Sequence, residues 1–533
     1  MSEIKDRIAT GAAVGVAIIS LLILYRPWLL DRTLFFDEWM YLEELADAGS
    51  WIKWVLTPMQ EHFTPVAKAI FVLDNAWFGY HGGAFTAVSL VLHAVFILAI
   101  CWFLRAASIE WGVVLVAALL LACTAAYPEV VIWSHDKLVL FFIGLFGALA
   151  LFVSAERRRA SRGAHVSLAA LVGVCGCLLL SMLSLGAGLF TMVFFAGFAL
   201  AYDRRAVLRP HYLVVAVVAA VVFLAMYAAF ALHGVSADFQ ARVEDPWTLQ
   251  ALLGTVRTGL FSFVFGSVLP LFHIHTRPTE AWFASLGTTV LLGLAVFTAA
   301  FLTFLLTRQA DRIARTDGAS GRARSSLFLL GAGVAAVTSM SQAFYRAKGT
   351  YAGLEFLLDW NRYAFLPGIG IVLWLTAICD ALTRVFPSRW RYAAAALVAG
   401  AIAASFPSAV SEVNTYQAFF FRNARVKEIQ AAFEPLFQPT TSASMNDLVL
   451  PDIVIDEPIF VRPLRLSTYA RYHRPALSAS TRFFLPAQFD QLAPERRQAI
   501  RDFILRNARS RVRVRERIDR RQRDAGSPRS GTG

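Results

Sequence analysis

Two adjacent carboxylates, Asp37 and Glu38, lie among aromatic residues in the stretch LFFDEWMYL, Leu34–Leu42. A carboxylate beside apolar rings is poorly solvated and can be a better base than one in water. Neighbouring helical residues point about 100° apart, so the two acids cannot serve one face. One acid can therefore face a reacting group while the other orients the loop or a partner, and we predict that Asp37 and Glu38 are catalytic residues. In the alternative interpretation, Asp37 only caps an amphipathic helix over 38–48 that lies along a membrane surface.

Further ionisable residues collect between apolar runs and form two candidate groups. The basic residues are Lys137, Arg346, Lys348 and Arg362, and the guanidinium group of Arg362 is suited to a phosphate. The predicted substrate contacts are His62, Glu129, His135, Asp136, His273 and His275. Two alternatives remain open: Arg362 opens an apolar run and can snorkel to the membrane surface, and His135–Lys137 can be a polar turn.

The pair His273 and His275 also raises the question of a metal ion. A spacing of two residues suits a strand, and Glu280 follows shortly afterwards. Two histidines are a small ligand set for zinc or another transition metal. The prediction is that no metal and no other cofactor is bound, with a divalent metal as the alternative.

The composition defines the kind of chain that positions these residues. Hydrophobic residues make up 57% of the 533 residues, charged residues 16%, and the mean hydropathy is +0.56. Apolar runs close to 20 residues recur, and each is long enough to cross the hydrocarbon core of a bilayer. We predict an all-α polytopic membrane protein with about eleven spans.

Four basic clusters predict the orientation of these spans, because short loops rich in Lys and Arg stay in the cytoplasm. They lie at Glu156–Arg162, Tyr202–Arg209, Arg308–Arg324 and Arg384–Tyr392. With the amino terminus in the cytoplasm all four fall inside, and the carboxyl terminus falls outside. The apolar stretch 256–272 would invert the later loops if it crossed, so we interpret it as a re-entrant or interfacial segment on the outer side. The predicted spans are 11–30, 85–104, 111–126, 138–154, 166–183, 186–202, 211–232, 282–307, 326–344, 362–382 and 391–409.

The chain changes character after the last predicted span. We predict a transmembrane domain over 1–410 with a first outer loop at 31–84, and a small extracytoplasmic region of mixed α/β structure over 411–510. The Arg-rich segment 511–533 is predicted to be a disordered tail. Outside the cell its charge meets anionic lipids or glycans, or is simply solvated, so no nucleic-acid partner is expected.

Several stretches in this order resemble the C-type (GT-C) glycosyltransferases, polytopic enzymes that use polyprenyl-phosphate sugars. FFDEWMYLEEL is similar to the Asp-Glu signature in the first outer loop of protein O-mannosyltransferases and of the lipid A aminoarabinose transferase. Glu61–Phe96, YPEVVIWSHDKLVLFF and LLLSMLSLGAGL are similar to the pieces that follow. Ser184-Leu185-Gly186 stands where relatives often carry a Lys-Glu pair.

The resemblance implies an inverting transferase in a bacterial inner membrane that moves a sugar from a polyprenyl-phosphate donor to a glycan, lipid or protein of the cell envelope. Asp37 would be the general base that takes the proton of the acceptor hydroxyl, and Glu38 would support it or contact the acceptor. The cations that would receive the departing lipid phosphate are Lys137, Arg346, Lys348 and Arg362, of which Arg362 suits bidentate contact best. Two other classes remain open: a transporter or flippase of a lipid-linked precursor, and a non-catalytic scaffold for envelope assembly.

Overall fold

The protein is described by a computed structural model in which the helical part of the chain is largely covered. Isolated residues between the helices and five short strands are also described. The continuous ranges are 15–26, 48–58, 63–78, 82–123, 137–163, 165–185, 190–231, 248–271, 276–316, 322–344, 349–359 and 362–386.

The chain forms two compact units. The first contains Met1–Pro27, Val55–Phe71 and Thr86–Thr415, and the second contains Trp28–Trp54, Val72–Phe85 and Tyr416–Gly533. The predicted boundaries at 410 and 510 concern domains rather than these units, and they stay predictions.

Long helices make up the first unit, and several begin or end at recognisable signals. Ser167 caps one helix by accepting a hydrogen bond from the Ala170 N–H, and Gly163 ends another with a left-handed backbone at φ 61°. Pro210 opens a third at a position where no helical hydrogen bond is lost. The helices are α1 (Gly15–Arg26), α2 (Trp51–Leu56), α3 (Pro65–Phe78), α4 (Gly82–Ala106), α5 (Trp111–Cys123), α6 (Val139–Arg162), α7 (Leu168–Met182), α8 (Phe190–Val207), α9 (Pro210–Met226), α10 (Leu249–Phe261), α11 (Glu280–Ala284), α12 (Leu286–Thr316), α13 (Ala323–Gln342), α14 (Tyr351–Asp359) and α15 (Arg362–Val385).

Ten of the predicted spans, from 11–30 to 362–382, each coincide with a described helix. Within the described part of the chain, seven helices are long and apolar enough to cross a membrane, and α1, α5 and α7 are shorter apolar helices. The span predicted at 391–409 lies outside the described residues. The total of about eleven crossings therefore stays a prediction.

Helix α6 lies at the centre of the first unit and α12 lies at its edge. In α6, 83% of the apolar stretch that could cross a membrane is buried inside the protein, whereas in α12 the buried share is 6%. The aromatic rings of Phe96, Phe142 and Phe146 pack together around α6, with centroids 5.7 Å apart for Phe142 and Phe146. An apolar helix that buries so little against protein suits contact with lipid, which is the expected surroundings of α12.

Helices α13 and α15 approach so closely that their backbones touch. A Cβ atom added at Gly331 would lie 2.6 Å from the Gly370 carbonyl oxygen, and one added at Gly370 would lie 2.5 Å from the Gly331 oxygen. Small residues at such a crossing allow close packing, which is a main source of helix association in lipid. Gly333, two residues along α13, has no atom within 4 Å of an added Cβ.

We expect Gly331→Ala to destabilise the protein and Gly333→Ala to leave it unchanged or slightly more stable. The first substitution places a methyl group against backbone that cannot move independently, at a cost of about 1–3 kcal/mol. The second only improves helix propensity. Thermal unfolding of both variants in detergent micelles measures the difference, and equal midpoints would contradict the packing argument.

The segment predicted as re-entrant, 256–272, belongs to a continuous helical stretch. Helix α10 continues through a π-helical turn at Ser262–Val268 and ends with Leu269–Leu271. Gly254 lies against Gly349, and Gly266 lies against Leu358, so both ends contact the chain between α13 and α15. By length and composition Leu249–Val268 is one of the seven candidate spans. Its re-entrant character stays a prediction, and its contacts with the chain between α13 and α15 are compatible with that prediction.

The four basic clusters lie at one end of the helices. Arg209 from the second cluster pairs with Glu156 from the first, and Arg384 from the fourth pairs with Asp380 beside Arg324 from the third. Arg157, which follows Glu156 in the chain, lines the same cavity as Arg384, so both ion pairs lie near this cavity. Their shared location agrees with the premise that all four clusters are on the same side of the membrane.

Short strands are described in the carboxyl-terminal part of the second unit. β1 (Val449–Pro451) pairs in parallel with β4 (Arg482–Phe484), and β2 (Val454–Ile455) pairs antiparallel with β3 (Leu464–Arg465) and β5 (Val514–Arg515). The first four lie within 411–510, the region that is predicted to have mixed α/β structure. β5 lies inside the predicted disordered tail, so two residues of that segment have a regular pairing. The mixed α/β character of 411–510 stays a prediction.

Candidate functional site

Three of the twelve predicted site residues lie in the part of the chain that the structure describes: Glu38, Lys137 and, by its backbone, Arg362. The others lie outside the described residues. They are Asp37, His62, Glu129, His135, Asp136, His273, His275, Arg346 and Lys348.

Glu38 is fully buried in the second unit. Its side chain has no solvent exposure, and the residue is helical, as are Tyr41 and Leu42 one turn further on. Tyr41 packs edge-on against Trp54 with ring centroids 5.4 Å apart. A carboxylate in such a setting is not part of a solvated helix face, and the supporting role of Glu38 stays a prediction.

Lys137 provides the best-defined cation of the predicted donor site. It precedes α6, and its ammonium donates a hydrogen bond to the Ser89 hydroxyl of α4 at 3.0 Å. The side chain is only 2% exposed. Burying an ammonium costs free energy, so a lysine at the end of apolar helices is a functional candidate.

His93 lies one turn along α4 from Ser89 and extends the polar site into the helices. The imidazole is buried, and its Nδ1 has no hydrogen-bond partner. The aromatic rings of Phe96 and Phe365 pack around it, with centroid distances of 6.2 and 6.0 Å. Ser89 and His93 therefore form a polar strip on one helix face, in an otherwise apolar wall.

The first turn of α15 closes the other side of this site. The helix begins at Arg362, and Phe365 in its first turn contacts His93 and Phe142. The amino-terminal end of a helix carries partial positive charge and free backbone N–H groups, which favour an anion. The first turn of α15 therefore lies against the polar strip of α4, and a phosphate site shared by Arg362 and Lys137 stays a prediction.

Ser89 and His93 are not among the site residues predicted from the sequence. Both lie inside the span predicted at 85–104, where a hydropathy average hides single polar residues. The signal that could have revealed them is their spacing of four residues. This spacing places Ser89 and His93 on one face of the helix, together with the ring of Phe96. A second buried ammonium, Lys68, donates to the Thr57 carbonyl oxygen at 2.7 Å and was also not assigned a role.

In the described ranges, no group of three or more His, Cys, Asp or Glu side chains is placed to hold a metal ion. His273 and His275, the predicted alternative metal pair, lie outside those ranges.

Fold and site together define a multi-pass α-helical membrane protein with a buried cationic site between α4, α6 and α15. In comparisons with known proteins, no family model and no curated protein matches this chain.

Proposed function

We propose that this protein is a membrane glycosyltransferase that moves a sugar from a polyprenyl-phosphate donor to a cell-envelope acceptor at the outer face of the membrane. The observation that carries the proposal is the buried Lys137 ammonium at 3.0 Å from Ser89, at the end of α6 opposite the basic clusters. A lipid phosphate at the outer headgroup layer has the charge and position that such a site suits.

In the proposed reaction the acceptor oxygen attacks carbon one of the sugar. The bond between that carbon and the phosphate oxygen breaks, and the lipid phosphate departs with the electron pair. Asp37 takes the proton of the acceptor hydroxyl, and Glu38 supports it. Lys137, Arg362, Arg346 and Lys348 stabilise the charge that develops on the leaving phosphate. A single displacement inverts the configuration at carbon one.

The proposal includes the membrane topology on which this chemistry depends. The chain crosses a bacterial inner membrane about eleven times, with its amino terminus inside and residues 411–510 outside as a small α/β region. The common location of the basic clusters supports this orientation. Labelling of single cysteines introduced at 37 and at 450–480 with a reagent that cannot cross the membrane tests it, and modification from the cytosolic side alone would contradict the proposal.

A transporter or flippase of a lipid-linked precursor is the second candidate, because His93 is buried inside a candidate span. Ionisable residues in that position often line substrate or proton paths. The two functions differ in their products. A transferase releases free lipid phosphate and joins the sugar to an acceptor, whereas a flippase moves the intact donor across the bilayer.

Incubation of the purified protein with a panel of polyprenyl-phosphate sugars and envelope acceptors tests the choice. We expect lipid phosphate to be released, with a dependence on one sugar and one acceptor. Transbilayer movement of intact donor in vesicles, with no release, would favour the flippase. Neither release nor movement with any donor would favour a scaffold and contradict the transferase.

A further inference from the structure

A second charged site lies at the opposite end of the first unit from Lys137. A cavity of about 420 Å³ opens where α4, α5, α6 and α15 end or begin, and its walls carry three guanidinium groups and one carboxylate. Its volume falls within the range of small-ligand pockets. The lining residues are Arg105, Ser108, Glu110, Arg157 and Arg384.

Two of the three arginines are held in place by neutral groups of the protein. Arg105 donates to the Ile109 carbonyl oxygen and stacks over the Trp111 ring at 4.0 Å. Arg157 donates to the carbonyl oxygen of Ala106 at 2.9 Å. These contacts fix the positions of the two guanidinium groups, so the groups are preorganised to meet an anion in the cavity.

Arg384 has an unsatisfied donor at the same cavity. Its Nε is buried and has no hydrogen-bond partner. It lies 3.5 Å from an Asp380 oxygen, but that oxygen also accepts a hydrogen bond from Arg324 at 2.5 Å. The carboxylate of Asp380 is therefore engaged mainly elsewhere, and an oxygen-rich ligand would satisfy the arginine.

The turn before α5 brings Ser108 to the cavity in an unusual conformation. Its backbone φ is 63°, and no other non-glycine residue in the described part of the chain has a positive φ. The Ser108 N–H donates to the Arg105 carbonyl oxygen, which closes the turn. A left-handed backbone costs a serine about 1–2 kcal/mol, and such strain is often found at binding sites.

We propose that this cavity binds a phosphate-bearing anion at the predicted cytoplasmic face. Three guanidinium groups converge there, and guanidinium matches phosphate geometry by donating two parallel hydrogen bonds. The phosphate can belong to the headgroup of an anionic phospholipid of the inner leaflet, since basic pockets between helices on that side recognise such headgroups. It can also belong to a soluble phosphate.

Isothermal titration of the full-length protein in micelles, with dioctanoyl phosphatidylglycerol and with inorganic phosphate as separate probes, tests this site. We expect Arg157→Gln to weaken binding about five- to tenfold, because a charge-assisted hydrogen bond at an exposed residue is lost. Glu110→Gln should tighten binding, because it removes the one negative charge of the lining. The matched control is Arg158→Gln, since Arg158 is exposed on the same helix turn and does not line the cavity.

The two probes separate the sources of the phosphate. Dependence on Arg157 with phosphatidylglycerol alone identifies a lipid headgroup, and the same dependence with inorganic phosphate identifies a soluble ligand. If neither probe binds, or if Arg157→Gln and Arg158→Gln behave alike, the proposal is overturned. Equal melting temperatures of the three variants show that the result does not come from misfolding.

Discussion

Replacing Lys137 by methionine is expected to lower sugar transfer about a hundred- to a thousandfold, the size of effect seen when one preorganised donor to a developing anion is removed. The ammonium is buried and hydrogen-bonded to Ser89, so water cannot take its place on the phosphate. Methionine has a similar volume and no charge, so it fills the same space in an apolar wall. Release of lipid phosphate under single-turnover conditions measures the loss at the chemical step.

Lys53→Met is the matched control, because Lys53 is an exposed lysine on the same predicted side of the membrane. It removes the same charge from the surface and should leave the rate unchanged. A Lys137→Met variant that transfers sugar at the parent rate while melting at the parent temperature would show that Lys137 does not serve the phosphate. A melting temperature below that of the parent would show that the loss of transfer comes from loss of the fold. Lys137→Arg then tests whether a cation at this position restores transfer.

The helices could be predicted from the sequence because the bilayer allows few solutions. Backbone N–H and C=O groups in hydrocarbon must pair within their own segment, so a long apolar run becomes a helix whatever surrounds it. The runs at 85–104 and 138–154 are helices for this reason. The first has ends shifted by two or three residues, whereas the second continues through its basic cluster to Arg162. The run at 186–202 begins later as a helix, at Phe190, and the non-helical backbone of Asp203 interrupts this helix before it ends at Val207 in its basic cluster.

Contacts between helices could not be predicted, because they depend on single side chains that a hydropathy pattern averages away. Ser89 and His93 contribute little to the mean hydropathy of their span, yet they supply the polar groups beside Lys137. Arg324 and Asp380 are 56 residues apart in the chain, and nothing in their local sequence links them. The basic clusters predicted the orientation of the spans. They did not reveal that Arg157 and Arg384 line one cavity together with Arg105, Ser108 and Glu110.

The second large effect is expected at Asp380, whose carboxylate is shared by three helix ends. One oxygen accepts a hydrogen bond from Arg324 Nε at 2.5 Å, and the other accepts from the Glu110 backbone N–H at 2.7 Å. Asp311 accepts from the backbone N–H groups of Arg324 and Ser325 and so caps the start of α13. Arg324, Asp311 and Asp380 are each at most 3% exposed.

Asp380→Ala should lower the free energy of unfolding by about 3–5 kcal/mol, because it leaves a buried guanidinium with one carboxylate and the partly buried Glu110 N–H without this acceptor. Thermal or denaturant unfolding of the full-length protein in micelles measures the change. Asp203→Ala is the control, since Asp203 lies in a basic cluster at the same end and its carboxylate accepts a hydrogen bond from the nearby Arg205 N–H at an exposed site. We expect the control to change stability by about 1 kcal/mol or less.

A triple replacement separates the loss of a pairing from the loss of a side chain. If the cost of Asp380→Ala comes from an uncompensated buried charge, then Asp311→Leu, Arg324→Met and Asp380→Leu together should recover much of the stability, because no buried charge remains. Recovery would mean that the three charges determine which helix ends meet, while apolar packing at Gly331 and Gly370 supplies most of the binding between α13 and α15. A triple variant as unstable as Asp380→Ala would instead show that the hydrogen bonds to Glu110 and to the start of α13 carry the effect.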